Sequence, residues 1–294
     1  MKFRGVGTAL ITPFKESGAL DEAALARFVD WQIREGINFL VPCGTTGENP
    51  ALTVEEQSRV VEIVIEAADG RVPVLAGAGS NSTARAIELA EAAIELGADG
   101  ILTITPYYNK PTPDGLRRHF GMQADAIEKR KSGFPMIMYN VPGRTGVNMT
   151  ADTTLRIARE VPNVVGVKEA SANMEQILAI LRDRPDGFAV LSGDDAWTLP
   201  LMAVGAEGVI SVASNEVPRL MRQLVDTRDV TLQNRLLPLL TGNFIEANPG
   251  PAKAVMKMMG ILESDTVRPP LAPITDASHK KLEAILRECG LAKG

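Results

Sequence analysis

Short apolar runs alternate with longer amphipathic segments along most of the chain. Each run is bounded by Gly, Pro, Asn or Asp. Runs of this length are typical of strands that a parallel sheet buries on both faces. We predict eight such strands, at Gly5–Pro13, Phe39–Thr45, Val72–Ala78, Gly100–Tyr107, Pro135–Asn140, Val164–Glu169, Phe188–Ser192 and Gly208–Ala213.

The segments between these runs carry helix signals. Asp21–Glu35 repeats apolar residues at the spacing of one helix face. Thr53 and Glu56 have the spacing of a capping box, and Thr112 followed by Pro113 is typical of a helix start. Strand and helix therefore alternate, which predicts a parallel sheet covered by helices.

Three junctions between a helix and a strand begin with glycine, at Gly36, Gly97 and Gly205. Glycine supplies the left-handed residue that ends many helices, so this recurrence indicates one repeated unit. Eight units in sequence predict a (β/α)8 TIM barrel. The alternative is a doubly wound open sheet, but Gly77–Ser82 lacks the third glycine of a nucleotide-binding fingerprint.

The pattern changes to helices alone after the eighth strand, with interruptions at Asn248–Pro251 and Arg268–Pro270. We therefore predict two regions. Residues 1–215 form the barrel core with the catalytic site, and residues 216–294 form a C-terminal helical extension packed on the barrel. We expect the extension to cover one flank and to make subunit contacts, because nothing in its sequence points to catalysis.

Composition narrows the functional classes. The chain has 294 residues, a net charge of -5 and 4% aromatic residues, which argues against a nucleic-acid surface. Residues 1–10 lack the apolar core of a signal peptide, and no apolar run approaches membrane-spanning length. We expect a soluble cytoplasmic protein without membrane contact. Cys43 and Cys289 form no disulfide framework. The two histidines, His119 and His279, exclude a His-rich metal site, and we expect both at ordinary surface positions.

Candidate chemistry lies at the carboxyl ends of the predicted strands, where barrels carry their reacting groups. All three tyrosines of the chain fall among these ends. The polar strand ends are Gly44–Glu48, Thr105–Asn109, Tyr139–Thr145, Lys168–Glu169 and Ser192–Asp195.

Lys168 is the candidate nucleophile. It ends an apolar strand, where a cation costs free energy unless it is paired or its pKa falls. An amine whose pKa falls from ~10.4 towards ~7–8 can form a Schiff base with a carbonyl substrate. The alternative is a lysine that reaches solvent and pairs loosely with Glu169. Side-chain alternation predicts that Lys168, Gly166 and Val164 face the barrel interior, as does Tyr139.

The neighbouring strand ends supply the other groups that this chemistry needs. The Tyr139 hydroxyl can carry protons, and threonine hydroxyls can link tyrosines into a relay. Backbone N–H groups around Thr45 and Thr46 can hold one carboxylate, and Arg144 suits a second. These groups predict a keto-acid substrate and a partner substrate with its own carboxylate.

Simpler structural roles stay open for several of these residues. Thr45 and Thr46 could only form a turn, and Glu48 could only fix its loop. Asp194 and Asp195 are more typical of helix caps than of catalytic acids. The last two strand ends lack a glycine-rich phosphate cradle, which disfavours a phosphorylated substrate.

These motifs closely resemble those of the pyruvate-dependent class I aldolase family that contains the dihydrodipicolinate synthases and N-acetylneuraminate lyase. The resemblance covers nearly the whole chain. Its carriers are Gly44–Glu48, Thr105–Pro111, Tyr139–Thr145, Val167–Ala170, Ser192–Asp195 and Gly208–Val212.

The resemblance implies a Schiff-base-forming lyase on a TIM barrel. Lys168 would bond to pyruvate, with no cofactor beyond that covalent Schiff base. Tyr139 would donate and accept protons in a relay with Thr45 and Tyr108. Tyr108 would reach the neighbouring subunit's site across a tight dimer interface, and two such dimers would form a homotetramer.

The resemblance also implies substrate contacts. Thr46 would bind the pyruvate carboxylate through its backbone, and Gly193 and Ile210 would line the pocket. Arg144 would bind the carboxylate of L-aspartate 4-semialdehyde, which favours the synthases over the sugar-acid lyases. The implied pathway is lysine and diaminopimelate biosynthesis.

Two other functions remain as alternatives: a lyase or aldolase for a sugar-derived 2-keto acid, and a silent keto-acid sensor. One region also departs from lysine-inhibited relatives, which place histidines and a glutamate where this chain has Val54, Gln57 and Arg85. Val54 cannot form a side-chain hydrogen bond, and Arg85 would repel a lysine ammonium. We therefore expect weak or absent inhibition by L-lysine.

Overall fold

The computed structural model describes residues 2–292. Within that range it forms a strand in every predicted apolar run, and most of these strands end earlier than predicted. The residues beyond these ends belong to loops or short turns. The strands are β1 (Gly5–Ala9), β2 (Phe39–Val41), β3 (Leu75–Gly77), β4 (Gly100–Ile104), β5 (Met136–Asn140), β6 (Val164–Glu169), β7 (Ala189–Ser192) and β8 (Gly208–Ser211).

All strand pairs are parallel, in the order β2-β1-β8-β7-β6-β5-β4-β3. A further parallel bridge between Leu40 and Val74 joins β2 to the start of β3, and the Gly77 N–H donates to Pro42 O at 2.9 Å. The sheet therefore closes into the predicted (β/α)8 barrel, and the open-sheet alternative is wrong. Closure brings the carboxyl ends of the strands to one rim.

Helices fill the connections between strands. Asp21 caps α1, Thr53 and Glu56 form a complete capping box at α2, and Thr112 caps α4, as the sequence predicts. The helices are α1 (Glu22–Arg34), α2 (Val54–Ala68), α3 (Thr83–Glu95), α4 (Pro113–Arg130), α5 (Pro142–Thr145), α6 (Ala151–Glu160), α7 (Met174–Asp183), α8 (Thr198–Ala203), α9 (Pro218–Thr227), α10 (Val230–Gly242), α11 (Gly250–Met258) and α12 (Asp276–Glu288).

The repeated glycine junction is confirmed. Gly36, Gly97 and Gly205 have φ angles of 91°, 92° and 110°, a region that residues with a Cβ rarely adopt. Each glycine follows the end of α1, α3 or α8 and lets the chain turn back towards the next strand.

The core has two layers. A large outer cluster lies between strands and helices, and a smaller inner cluster fills the barrel. Tyr139 belongs to the inner cluster, as predicted. Val164 belongs to the outer cluster, so its predicted inward orientation is wrong. The register of β5 against β6 shifts at Met136 and Ile137, and this bulge reverses the alternation at the start of β6.

The segment after β8 carries α9 to α12, and Leu282 and Ile285 of α12 lie beside Gly242 at the end of α10. The division at residue 215 stays a prediction. Within residues 2–292, no helix combines the length and the apolar character needed to cross a membrane.

His119 differs from expectation. It is buried on α4, with Nδ1 2.9 Å from the Thr83 hydroxyl, and burial lowers its pKa to about 4. The predicted surface position is wrong because α3 and α4 pack together at this point. Among the residues that the structure describes, no three His, Cys, Asp or Glu side chains form a group suited to a metal ion.

Candidate active site

Lys168 lies at the carboxyl end of β6, directly opposite Tyr139 on β5. Its side chain is only 5% exposed, and Nζ lies 4.3 Å from the centre of the Tyr139 ring. The Glu169 carboxylate accepts hydrogen bonds from the Asn140 amide at 3.2 Å and the Ser171 N–H at 2.8 Å. Lys168 therefore does not reach solvent, and the neighbouring acid is engaged elsewhere.

The environment of Lys168 favours a neutral amine. Burial lowers its pKa to about 8, the negative charge of Asp195 partly opposes this shift, and the positive charge of Arg144 adds to it. At such a pKa an appreciable fraction of the side chain is unprotonated near neutral pH, which a nucleophilic amine requires.

The two aspartates after β7 are caps, as expected. The Asp194 carboxylate accepts from the Ala196 N–H at 3.0 Å. Asp195 caps a different turn, since Oδ2 accepts from the N–H groups of Val212 and Ala213, both at 2.9 Å. Asp195 is thereby fixed at the end of β8, close enough for its charge to raise the pKa of Lys168. Sequence reasoning missed this second effect.

Tyr139 is suited to hold and pass a proton. Burial raises the pKa of its hydroxyl to about 12, while the Arg144 charge and a hydrogen bond with Thr45 act in the opposite direction. The hydroxyl is therefore protonated at neutral pH, and a second hydroxyl, that of Thr45, is close enough to act on its pKa. Such a pair can donate one proton while it receives another.

Thr45 and Thr46 lie in a tight turn after β2, which we call the threonine loop (Gly44–Glu48). The Glu48 N–H donates to Thr45 O at 3.1 Å, and the Thr12 hydroxyl donates to Gly47 O at 2.7 Å. The Thr46 hydroxyl accepts from the Asn248 amide at 3.0 Å. The loop is thus a turn, as one interpretation held, and it also brings Thr45 to Tyr139.

Gly193 and Ile210 lie on the same side of the nucleophile's strand, Gly193 directly after β7 and Ile210 on β8. A Cβ at Gly193 would lie 3.2 Å from Lys168 Cε and 2.6 Å from the Ala170 Cβ, so a larger residue would crowd the lysine stem. Ile210 on β8 is buried in the inner cluster. The absence of a side chain at Gly193 therefore leaves room for the lysine stem, and Ile210 contributes an apolar side chain to the barrel interior.

The remaining predicted residues lie at the mouth. Arg144 is exposed on α5, near enough to influence Tyr139 and Lys168 by its charge. A cavity of about 190 Å³ beside Thr45 and Tyr139 is also lined by Tyr107. Tyr108 is 88% exposed with a φ of 73°. The single chain therefore brings every predicted site residue to this rim except the Tyr108 side chain, which lies in solvent.

Sequence reasoning missed two contributors. Tyr107 lines the cavity in place of its neighbour, a choice that only the backbone turn at residue 108 decides. Asn248 reaches Thr46 from the C-terminal region. Its only sequence signal was a Pro- and Gly-rich interruption, which we interpreted as a helix break.

Comparisons with known proteins agree with this geometry. The chain matches the Dihydrodipicolinate synthetase family over residues 2–289. It is 48% identical to a 4-hydroxy-tetrahydrodipicolinate synthase from Koribacter versatilis, covering 100% of this chain and 98% of the relative. Dihydrodipicolinate synthase from Aquifex aeolicus has a similar structure, with a TM-score of 0.94, 41% identity and coverage of 99% and 100%.

A further similar structure is a dihydrodipicolinate synthase from Acinetobacter baumannii in complex with pyruvate. It has a TM-score of 0.93 and 40% identity, covering 98% of this chain and 99% of that one. A similarity of this extent over the full length indicates a common family and not only a common fold. The chain therefore belongs to the dihydrodipicolinate synthetase family.

Proposed function

We propose that this chain condenses pyruvate, held as an enamine on Lys168, with L-aspartate 4-semialdehyde in lysine and diaminopimelate biosynthesis. The observation that carries the proposal is the buried Lys168 amine over the Tyr139 ring, with Thr45 close enough to act on the pKa of the Tyr139 hydroxyl. The full-length relatives named 4-hydroxy-tetrahydrodipicolinate synthase support the choice of reaction.

The first stage builds the Schiff base. The neutral Lys168 amine attacks the keto carbon of pyruvate, and the carbonyl oxygen takes a proton to give a carbinolamine. A second proton on that oxygen lets water leave and the C=N bond form. In this proposal Tyr139 delivers these protons and is recharged through Thr45, which acts on the pKa of its hydroxyl. No cofactor beyond the covalent bond enters this proposal.

The second stage forms the new carbon–carbon bond. Loss of a proton from the pyruvate methyl group gives the enamine, whose carbon attacks the aldehyde of the second substrate. The aldehyde oxygen takes a proton and becomes a hydroxyl, and the C=N bond to Lys168 is restored. Arg144, exposed at the mouth, is our candidate to bind that substrate's carboxylate. The substrate's own amine then displaces Lys168, which closes the ring and frees the enzyme.

Assembly is part of the proposal. Tyr108 is a large aromatic side chain left 88% exposed beside the site. We propose that it enters the site of a second copy across a tight dimer interface, and that two dimers form a homotetramer. The cytoplasmic location expected from the sequence stays a prediction.

The experiment compares substrates on the purified chain. Turnover with pyruvate and L-aspartate 4-semialdehyde should exceed cleavage of sialic acid or 2-keto-3-deoxygluconate by orders of magnitude. Preferential cleavage of either sugar acid would instead support the lyase alternative. If borohydride traps no pyruvate on the chain, the silent sensor becomes the better reading.

We also propose weak or absent inhibition by L-lysine. Gln57 and Arg85 line the cavity beside Thr45, and Val54 lies in the first turn of α2. The positive charge of Arg85 disfavours an incoming ammonium group. Sub-millimolar inhibition by L-lysine in a steady-state assay would overturn this expectation.

A further inference from the structure

We propose that the C-terminal segment Asn248–Lys253 positions the threonine loop for catalysis, with Asn248 holding Thr46 and Lys253 holding Glu48. Lys253 and Glu48 are then positioning residues for pyruvate binding, although neither reaches the substrate. The inference rests on the proposed function, because it assigns a task to the loop that binds pyruvate there.

Lys253 is a fully buried cation on α11, with 0% exposure. Its ammonium donates to Glu48 Oε1 at 2.5 Å and to Thr266 O at 2.8 Å, and it lies 4.3 Å from the centre of the Phe14 ring. A buried charge is tolerated only with such partners. Among residues 2–292, the only carboxylate that Lys253 contacts belongs to the last residue of the threonine loop.

The second oxygen of Glu48 is also held. Oε2 accepts from the Arg268 N–H at 2.8 Å. The Arg268 guanidinium in turn binds both oxygens of Glu56, at 2.6 and 2.7 Å, in the first turn of α2. The C-terminal region therefore fixes the Glu48 carboxylate on two sides and is itself anchored to the helix that follows the loop.

Glu48 has a backbone conformation that favours glycine, so we attribute the presence of a glutamate there to the partners that its side chain binds. Its φ is 55°, in the left-handed region that favours glycine. Its N–H donates to Thr45 O at 3.1 Å. A displacement of Glu48 would therefore move Thr45, which lies close enough to Tyr139 to act on the pKa of its hydroxyl.

The second point of attachment lies five residues earlier in the same segment. The Asn248 amide donates to the Thr46 hydroxyl at 3.0 Å, and both side chains are buried. One short segment thus holds adjacent parts of the loop, on either side of Gly47. Two points fix the orientation of the loop as well as its position.

The test compares two Lys→Met substitutions on α11. Lys257 is about half exposed and pairs only with Asp265, so Lys257→Met serves as the matched control. We expect Lys253→Met to raise the KM for pyruvate at least about tenfold, since small displacements of binding groups have large kinetic effects. The KM for L-aspartate 4-semialdehyde should be unchanged, and Lys257→Met should leave both constants as in the wild type.

A raised KM for pyruvate with an unchanged KM for the second substrate distinguishes a positioning role from a loss of stability. A variant that only loses folded protein has a lower apparent kcat with both KM values unchanged. Active sites are counted by borohydride trapping at saturating pyruvate. If Lys253→Met does not fold, the double variant Glu48→Gln/Lys253→Met leaves no unpaired charge, and its pyruvate KM should also be raised because the bond to Lys253 is absent.

A pyruvate KM within twofold of wild type, in whichever of these variants folds, would overturn the inference. The outcome is separable from the proposed function. If the wild-type chain neither turns over nor traps pyruvate, the proposed function fails. If the wild type is active and Lys253→Met binds pyruvate normally, only the positioning role fails.

Discussion

Two buried lysines, Lys168 and Lys253, share much of their environment. Each is almost inaccessible, and each Nζ lies 4.3 Å from the centre of an aromatic ring. Burial lowers the pKa of both to about 8. They differ in their partners. Lys253 is bonded to the Glu48 carboxylate, while Lys168 stands over the Tyr139 ring.

Burial and a lowered pKa therefore do not by themselves identify a lysine as a nucleophile. A paired ammonium keeps its proton, because losing it would leave the carboxylate buried and uncompensated. An amine beside a proton-carrying hydroxyl can give up its proton and attack. The contacts of the two lysines, more than their burial, therefore indicate that Lys168 is the nucleophile and that Lys253 holds the threonine loop in position.

The largest expected effect comes from removing each amine in turn. Lys168→Ala should lower turnover by at least about 10⁴-fold and abolish borohydride trapping of pyruvate, because no other group replaces the nucleophile. Lys253→Met should still be trapped at saturating pyruvate. Mass mapping of the trapped peptides checks both expectations. An adduct on Lys253 in Lys168→Ala would contradict the conclusion that Lys253 is not a nucleophile.

The next effect comes from making one ring resemble the other. Tyr139→Phe places under Lys168 the same kind of ring that Phe14 places under Lys253. The amine keeps its burial but loses the proton carrier, so kcat should fall by roughly 10²–10⁴-fold. Steady-state kinetics measure the change, and Schiff-base trapping confirms that the variant binds pyruvate. Turnover near the wild-type level would remove Tyr139 from the relay.

A third effect is on stability, and its sign should differ between the two lysines. Lys253→Met leaves Glu48 buried without its cation and should destabilise the fold by roughly 3–5 kcal/mol. Lys168→Met removes a buried charge that has no bonded acid, and should stabilise it at pH 7 by up to about 3 kcal/mol. Urea unfolding at one protein concentration measures both.

The pH dependence of that stability follows from the lowered pKa of Lys168. Below about pH 8 the lysine is charged in both the folded and the unfolded state, so the full free-energy cost of burying its charge lowers the stability. Between pH 8 and ~10.4 Lys168 is neutral in the folded protein but still charged in the unfolded one. The free energy of unfolding of the wild type therefore rises relative to that of Lys168→Met. A Lys168→Met variant as destabilised as Lys253→Met would contradict this account.

Much of the barrel could be predicted from the sequence because its signals are local. Apolar runs, caps such as Thr53 and the glycine junctions depend on neighbouring residues. The bulge that turns Val164 outward depends on the pairing of two strands, and the burial of His119 depends on how α3 meets α4. Neither appears in a linear pattern.

The candidate site divides in the same way. Lys168, Tyr139 and the threonine loop follow from strand ends, which a barrel always brings together. Asn248 and Lys253 lie about two hundred residues from their partners Thr46 and Glu48. Only the docking of the C-terminal helices creates those contacts, so the segment appeared to be a structural break. Tyr107 and Tyr108 could not be distinguished without the backbone turn between strand and helix.

The rate of borohydride trapping of pyruvate on the wild-type chain, measured as a function of pH with the adduct located by peptide mass mapping, reports directly whether Lys168 is a neutral nucleophile. The account predicts a single adduct on Lys168 and a rate that rises with pH and levels off around a pKa of about 8. No adduct on Lys168, or a midpoint near the ordinary lysine pKa of ~10.4, would contradict it.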